Sequence, residues 1–562
     1  MQLEFQLSLG ADSSGQDFQF LTDPSKLGQP GATTFSLTGT GGSGDLSNVV
    51  GGGTAPNPDI GGPSNLAFAS TTGGAPFILV PASDVQYSIT PAADGSGQQD
   101  VTFNLASAWN TVKNVAIDSF DGASLTMKNW VEVHLDMTHN AAGSADTLDQ
   151  SVDIEGAKRG SIAVGDGNDT IHLGLDSNGS LGDNSFAITA GNGDNTISVG
   201  DADHHYAADG LYFDAKAGAT IPENIPVYDQ AWSSVSVAVG NGSNGIELDG
   251  VYAHANVTAG TGGTDLTITD PGNHWNGIVT TMTANLAGGA NTIEMVDAYT
   301  HTNITTGDGA DTIDIHQSTR GDAPAGQDIT LDLGDGAKET TITGNFQSIN
   351  YTAGNGADDF TFTGKANVTI HAGNGANNII AGWGHADITL GSGESKVEVG
   401  GIAGEQGGTF NIHAGTGQTD IALYQTDAAG HAAIWQQATI DHFNLGAGDE
   451  LVAFGATKGA VNHESWTAGT DGIERVGNDL TIHFDGAKND GIVTLTNFFT
   501  DNASHLSADE LAGALTNKTA TEIMHQVLHD GFSDQGWSDS EAGAQPDHVH
   551  LSAATAHEFM SF

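Results

Sequence analysis

Seven-residue segments of one kind recur along the chain, and their residue types suit the holding of a metal ion. Gly165-Asp166-Gly167-Asn168-Asp169-Thr170-Ile171 returns as Gly191-Asn192-Gly193-Asp194-Asn195-Thr196-Ile197 and as Gly307-Asp308-Gly309-Ala310-Asp311-Thr312-Ile313. Gly354-Asn355-Gly356-Ala357-Asp358-Asp359-Phe360 and Gly373-Asn374-Gly375-Ala376-Asn377-Asn378-Ile379 follow. Weaker copies begin at Gly240, Gly334, Gly391 and Gly415, a shifted one at Gly288, and a last one at Gly446. A Gly-x-Gly turn reaches conformations with positive φ and draws its carbonyl oxygens into a tight arc. The acidic or amide side chains beside it add further oxygens. Calcium takes about six to eight hard oxygen ligands, carbonyls and carboxylates among them. The candidate metal ligands are Asp166, Asp169, Asp194, Asn195, Asp308, Asp311, Asp335, Asn355, Asp358 and Asn377. An ion between turns of neighbouring coils would also offset the charge of stacked aspartates. Asparagine ladders could instead hold adjacent turns by hydrogen bonds alone.

Other chemistry finds less support. The 22 histidines outnumber the 14 lysines and arginines, but only His204-His205 and His548-x-His550 lie close in sequence, and scattered surface histidines explain the rest. His463-Glu464 and His557-Glu558 lack the second histidine of a zinc-protease motif. No Gly-x-Ser-x-Gly nucleophile elbow occurs. The carboxylates are too many to nominate an acid/base pair from sequence.

The turns need strands to position them. Successive copies start at 334, 354, 373 and 391, which is 20, 19 and 18 residues apart. Val368-Thr369-Ile370-His371 precedes one glycine turn and Ile379-Ile380 follows it; Gly382-Trp383-Gly384 then sends the chain back. Alternating apolar residues mark strands with one buried face. The spacing therefore predicts a mainly β protein built as a parallel β-solenoid, with 18–20 residues per coil, two short strands and two turns. The glycine motif recurs once per coil, so ligands are expected along one edge only.

The repeat resembles the calcium-binding nonapeptide G-G-x-G-x-D-x-U-x of the RTX family, best at 164–172, 306–314 and 353–361, although Val164, Thr306 or Ala353 stands where its first glycine would be. The resemblance implies a β-roll with calcium in the turns and side-chain ligation by Asp169, Asp311 and Asp358. Asn195, Asn244, Asn291 and Asn377 occupy the same place elsewhere, with Ser395 and Thr419 later, and neutral groups should hold an ion weakly or not at all. The region from Ile440 to Phe498 is similar to the C-terminal part of proteins exported by type I secretion, whose signal is C-terminal and uncleaved. Ser507-x-x-Glu510 and Thr519-x-x-Glu522 match capping boxes of two short helices, the second with Ile523, Met524, Val527 and Leu528 on one face and Gly531 as its stop. The acidic tail ending Phe559-Met560-Ser561-Phe562 is similar to a type I signal.

Four regions are expected: a β- and loop-rich start over 1–100, Gly/Ser/Pro-rich at 24–75; a solenoid over 101–460; a β cap over 461–505; and a helical segment with the secretion signal over 506–562. Composition narrows the function. With 69 acidic and 14 basic residues the formal charge is −55, which disfavours nucleic acid as a partner and penalises compaction unless cations bind. Cysteine is absent, which removes disulfides and thiolate zinc sites. No run of about 20 apolar residues predicts a membrane span, and the start lacks the pattern of a secretory signal. The 79 glycines of 562 residues fall far short of a collagen repeat. The expectation is an extracellular, calcium-dependent structural protein that is not an enzyme. It would self-assemble into a surface-layer-like lattice or filament and attach to cell-envelope polysaccharide or lipopolysaccharide. Alternatives are a secreted adhesin, or a lyase or epimerase acting on polysaccharide.

Overall fold

The computed structural model describes strand backbones between residues 2 and 120, then 123–139, 144–174, 185–200, 232–269, 280–296, 299–317, 326–400, 408–424, 435–454, 466–469, 472–484 and 491–528. The chain divides into two compact units, Met1–Gly288 and Gly289–Phe562.

The first unit starts with antiparallel strands. Gln2–Leu9 pairs with Phe18–Phe20, Phe35–Thr38 and Asn114–Phe120, and Val85–Pro91 pairs with Gly42–Asp45 and Gln99–Leu105. Two strands of this region change partner type. Gln99–Leu105 pairs in parallel with Ser124–Lys128, and Asn114–Phe120 with Glu132–Met137. From there the chain winds as a parallel β-solenoid, as the alternation predicted. One sheet continues through Ser151–Glu155, Thr170–Gly174, Thr196–Val199, Asn244–Asp249 and Thr264–Thr269. The other runs through Arg159–Val164, Ser185–Ala190, Trp232–Val239, Val251–Ala259 and Thr281–Leu286.

The second unit repeats the plan. Asp311–His316, Lys338–Thr343 and the first part of Asp358–His371 stack in parallel, and the last part of that 14-residue strand belongs to the facing sheet. The last parallel rung is Gly491–Thr496 against Trp435–Asp441, and the antiparallel strands Ile473–Val476 and Asp479–Phe484 continue from it.

Between the sheets lies a thin core of one residue in two. Ile171, Ile197, Ile246 and Leu266 occupy equivalent positions of successive rungs and are buried. Each such side chain contributes about 1.5–3 kcal/mol when removed from water. The stack also dictates glycine. A Cβ on Gly375 would lie 1.5 Å from the Gly356 carbonyl oxygen one coil earlier. Gly193 combines φ +138° with a Cβ position 1.8 Å from the Gly167 carbonyl oxygen.

Coil length departs from the expected 18–20 residues. Equivalent turn residues are bonded across 18, 20, 26, 27 and 49 positions. The glycine turns keep their length, and the excess falls in the return connections, as between Val199 and Trp232. A solenoid tolerates this because a loop outside the sheets leaves the register intact.

At the C-terminal end, Phe498–Asp501 forms one helical turn within the segment expected as a β cap. The Ser507/Glu510 box forms its reciprocal bonds, but it closes turns rather than a helix. The longer helix is Asn517–Val527, capped by Thr516 and Thr519 rather than by Thr519 and Glu522, so it starts ahead of the predicted box. Ile523, Met524, Val527 and Leu528 are buried as expected. Gly531 and the tail to Phe562 lie outside the described residues, as do His204-His205 and His548-x-His550. Among the described residues no helix is long and apolar enough to cross a membrane.

Candidate functional site

The glycine turns stack along one edge of each unit and carry rows of side chains that run from coil to coil. The outer row comes from the residue between the two glycines. Asp166 Oδ1 accepts from the Asn192 backbone N–H at 2.8 Å, and Asn192 Oδ1 from that of Asn241 at 3.0 Å. In the second unit Asp308 Oδ1 accepts from the Asp335 N–H at 3.1 Å, Asp335 Oδ1 from Asn355 at 2.7 Å, and Asn355 Oδ1 from Asn374 Nδ2 at 2.6 Å. A neighbouring row places Asp194 Oδ1 against the Ser243 N–H at 2.7 Å. Thus Asp166, Asp194, Asp308, Asp335 and Asn355 each use an oxygen to tie one turn to the next, in exposed or half-exposed positions.

The inner row is different. It holds Asp169, Asn195, Asn244 and Thr264 in the first unit. In the second it holds Asn291, Asp311, Lys338, Asp358, Asn377, Ser395, Thr419 and Asp449. Every one of them is at most 2% exposed. The burial is forced by alternation, since these residues point inward where the strand after each glycine turn begins. Several of them are linked in one way: a backbone N–H donates to the side-chain oxygen one coil later. Gln150 donates to Asp169 Oδ1, Asp169 to Asn195 Oδ1, and Asn291 to Asp311 Oδ1.

What fills the inside of each turn depends on the residue. Asn195 Nδ2 donates to the carbonyls of Gly191 and Gly193, both at 3.1 Å, and Asn244 Nδ2 to those of Gly240 and Gly242 at 3.3 and 3.1 Å. Asn377 Nδ2 reaches the Gly373 carbonyl at 3.1 Å. These amides already satisfy the carbonyl arc, so the ladder of hydrogen bonds is what the amide-bearing turns form. An aspartate has no donor to offer the arc.

The three aspartates singled out by the repeat have three different surroundings. Asp311 is saturated. Its Oδ1 accepts from Asn291 Nδ2 at 2.8 Å; its Oδ2 accepts from Thr306 Oγ1 at 2.7 Å and from the Lys338 ammonium at 2.6 Å. Asp169 keeps one bonded oxygen, while Oδ2 has no hydrogen-bond partner. Burial pushes its carboxyl up to about 6, against the Gln150 N–H and with the help of Asp149, Asp146 and Asp166. Neither Asp358 oxygen forms a well-aligned hydrogen bond, although the Lys338 backbone N–H faces the carboxyl. Burial pushes it up to about 7, opposed by the Lys338 N–H that faces it and by the Lys338 charge. Asp449 is also raised by burial, to about 6, but accepts from Thr419 and Asn444, both at 2.8 Å.

Among the described residues no three His, Asp or Glu side chains converge as a metal cluster. An ion in a turn would therefore draw on main-chain carbonyls with one carboxylate. Asp358 and, with one free oxygen, Asp169 are the candidate aspartates that keep acceptor capacity for a cation. A cation does not fit where an amide nitrogen occupies the arc, at Asn195, Asn244 and Asn377. Lys338 is not among the candidate ligands of the sequence, because a lysine carries no oxygen to offer a metal. Its signal was present: Gly334-Asp335-Gly336-Ala337-Lys338 puts lysine where the other copies carry aspartate or asparagine.

Comparison of the chain with family models, with curated proteins and with solved structures gave no match.

Proposed function

We propose that the chain is an exported, calcium-binding structural protein of the RTX kind that assembles with its own copies at the cell surface. It would leave the cell by type I secretion and attach to envelope polysaccharide or lipopolysaccharide. One observation carries the reading. Asp358 is a buried carboxylate with neither oxygen in a well-aligned hydrogen bond, at a position where neighbouring coils place an amide or an ammonium group. A buried carboxylate without a well-aligned hydrogen bond is costly, and a divalent cation is a partner that would satisfy both of its oxygens.

The charge balance supports the same reading. A chain of formal charge −55 resists compaction where free calcium is scarce. Where calcium is plentiful, each site adds RT ln(1 + [Ca]/Kd), about 1.4 kcal/mol at ten times Kd. That couples folding to arrival outside the cell. The outward faces of the parallel sheets would then serve contact between copies.

The test compares the full chain with Asp358→Asn and Asp169→Asn in chelator and in calcium, by thermal melting and electron microscopy. Wild type should gain several degrees and form sheets or filaments with calcium. Asp358→Asn should melt higher than wild type in chelator and respond less to calcium. A variant that responds to calcium as wild type does would defeat the site. Calcium-loaded protein that stays monomeric would defeat the assembly.

A further inference from the structure

The Lys338 side chain is fully buried, and its ammonium group keeps one contact with its own turn, the Asp335 carbonyl, while its other three serve the coil before. It reaches back one coil and lies among the oxygens of the preceding one. Nζ donates to the Gly307 carbonyl at 2.9 Å, the Gly309 carbonyl at 2.7 Å, Asp311 Oδ2 at 2.6 Å and the Asp335 carbonyl at 3.3 Å. Three of these oxygens come from the backbone and one from a carboxylate. An ammonium group has three hydrogens and no acceptor, so one of them is shared between two of these four oxygens, which surround the nitrogen as they would a small cation. Thr306 Oγ1 and Asn291 Nδ2 complete the bonding of Asp311 from its other sides.

We infer that the turn around Asp311 is a cation-binding cage whose resident cation is the chain's own lysine. The cage takes a small monovalent or divalent cation, and the tether supplies it at an effective concentration that no free ion needs to match. Rungs 307–343 are then held together independently of dissolved cations. The cage also marks where a cation sits relative to an inner-row aspartate: between the carbonyls of its own two glycines and the next coil. This inference goes beyond the calcium reading and does not require it, since the oxygens and the ammonium group are both within the chain.

The test is refilling. The full-length Lys338→Ala chain is melted in chelator at low salt, alone and with n-propylammonium, which replaces the deleted atoms, or with calcium in place of chelator. Removing one partner of a buried ion pair should lower the midpoint by on the order of 6–20 °C. Millimolar n-propylammonium, and separately calcium, should restore at least half of that loss in Lys338→Ala. Neither should restore Lys338→Met, whose thioether fills the cage without charge. A midpoint within 2 °C of wild type on the order of measurement error, or rescue no larger than the shift in wild type, overturns the inference.

If Lys338→Ala does not fold, Lys338→Asn takes its place. The shorter amide stays within its own turn, as Asn195 does, and leaves the oxygens around Asp311 to a free cation. Titration calorimetry should then count one more calcium site than in wild type, and an unchanged count overturns the inference. Asp358→Asn in the same titration separates the two ideas: its failure to lose a site defeats the calcium reading and leaves the lysine cage standing.

Discussion

The turns around Asp311 and Asp358 are nearly the same in sequence and opposite in chemistry. Gly307-Asp308-Gly309-Ala310-Asp311 and Gly354-Asn355-Gly356-Ala357-Asp358 differ only at the second residue. Yet Asp311 has both oxygens saturated and Asp358 has neither. The cause lies one coil later. The residue stacked on Asp311 is Lys338, long enough to reach back to it; the residue following Asp358 in the row is Asn377, whose amide turns to its own Gly373 carbonyl. In a stacked fold a site is therefore written by two turns, not by the motif of one.

The strongest way to break this comparison is to move the lysine. Asn377→Lys should place an ammonium group against Asp358 as Lys338 does against Asp311. The gain in chelator should be about 1–3 kcal/mol, the cost of leaving a buried polar group without a partner. Urea denaturation in chelator measures it. The variant should also lose its response to calcium at that turn. No gain, or an undiminished response, would mean that the residue one coil later does not set the chemistry.

A smaller effect is expected from pH. Asp358 is raised from 3.8 to about 7 by burial, and Asp169 from 3.8 to about 6. A carboxyl held above its unfolded value binds its proton more tightly in the folded chain. Its contribution is complete below the unfolded value of 3.8 and is lost as the pH rises through about 7 for Asp358. In chelator, stability should therefore fall between these limits. Asp358→Asn should flatten the upper part of that slope and leave the part due to Asp169 and Asp449. Calcium should oppose the fall, because it partners the deprotonated form. A slope in Asp358→Asn equal to that of wild type would place the titration elsewhere.

Much of this was readable before the coordinates. Alternation at residues such as Val368, Ile370, Ile379 and Ile388 predicted the strands, and the recurring Gly-x-Gly predicted a stack with its turns on one edge. Those signals are local and repeat, so they add up along the chain. The pairing of Lys338 with Asp311 is 27 residues apart and occurs in one place, so no periodicity exposes it. The ten candidate ligands also separate by direction. Asp166, Asp194, Asp308, Asp335 and Asn355 face outward and bond to backbone N–H groups or a neighbouring amide, while Asp169, Asn195, Asp311, Asp358 and Asn377 face in. The motif makes both rows polar, and only the inward turn of each second strand tells them apart. The irregular coil lengths were hidden for a related reason, since insertions in the return connections do not disturb the motif.

The smallest expected effect sharpens the comparison from the outer row. Asp335 Oδ1 accepts from the Asn355 backbone N–H at 2.7 Å and from Asn355 Nδ2 at 3.0 Å. Both bonds are exposed to water, which replaces them when they are lost. Asp335→Ala should therefore cost about 0.5–1.5 kcal/mol, the ordinary net worth of a hydrogen bond. The charge it removes from a strongly acidic surface offsets part of that cost, so the lower end is expected. Calcium response should be unchanged, because the inner row is untouched and Lys338 meets Asp335 only through its backbone carbonyl. Urea denaturation with and without calcium measures both quantities. A large loss of calcium response in this variant would move the ion from the inner row to the outer one, and with it the distinction between the Asp311 and Asp358 turns.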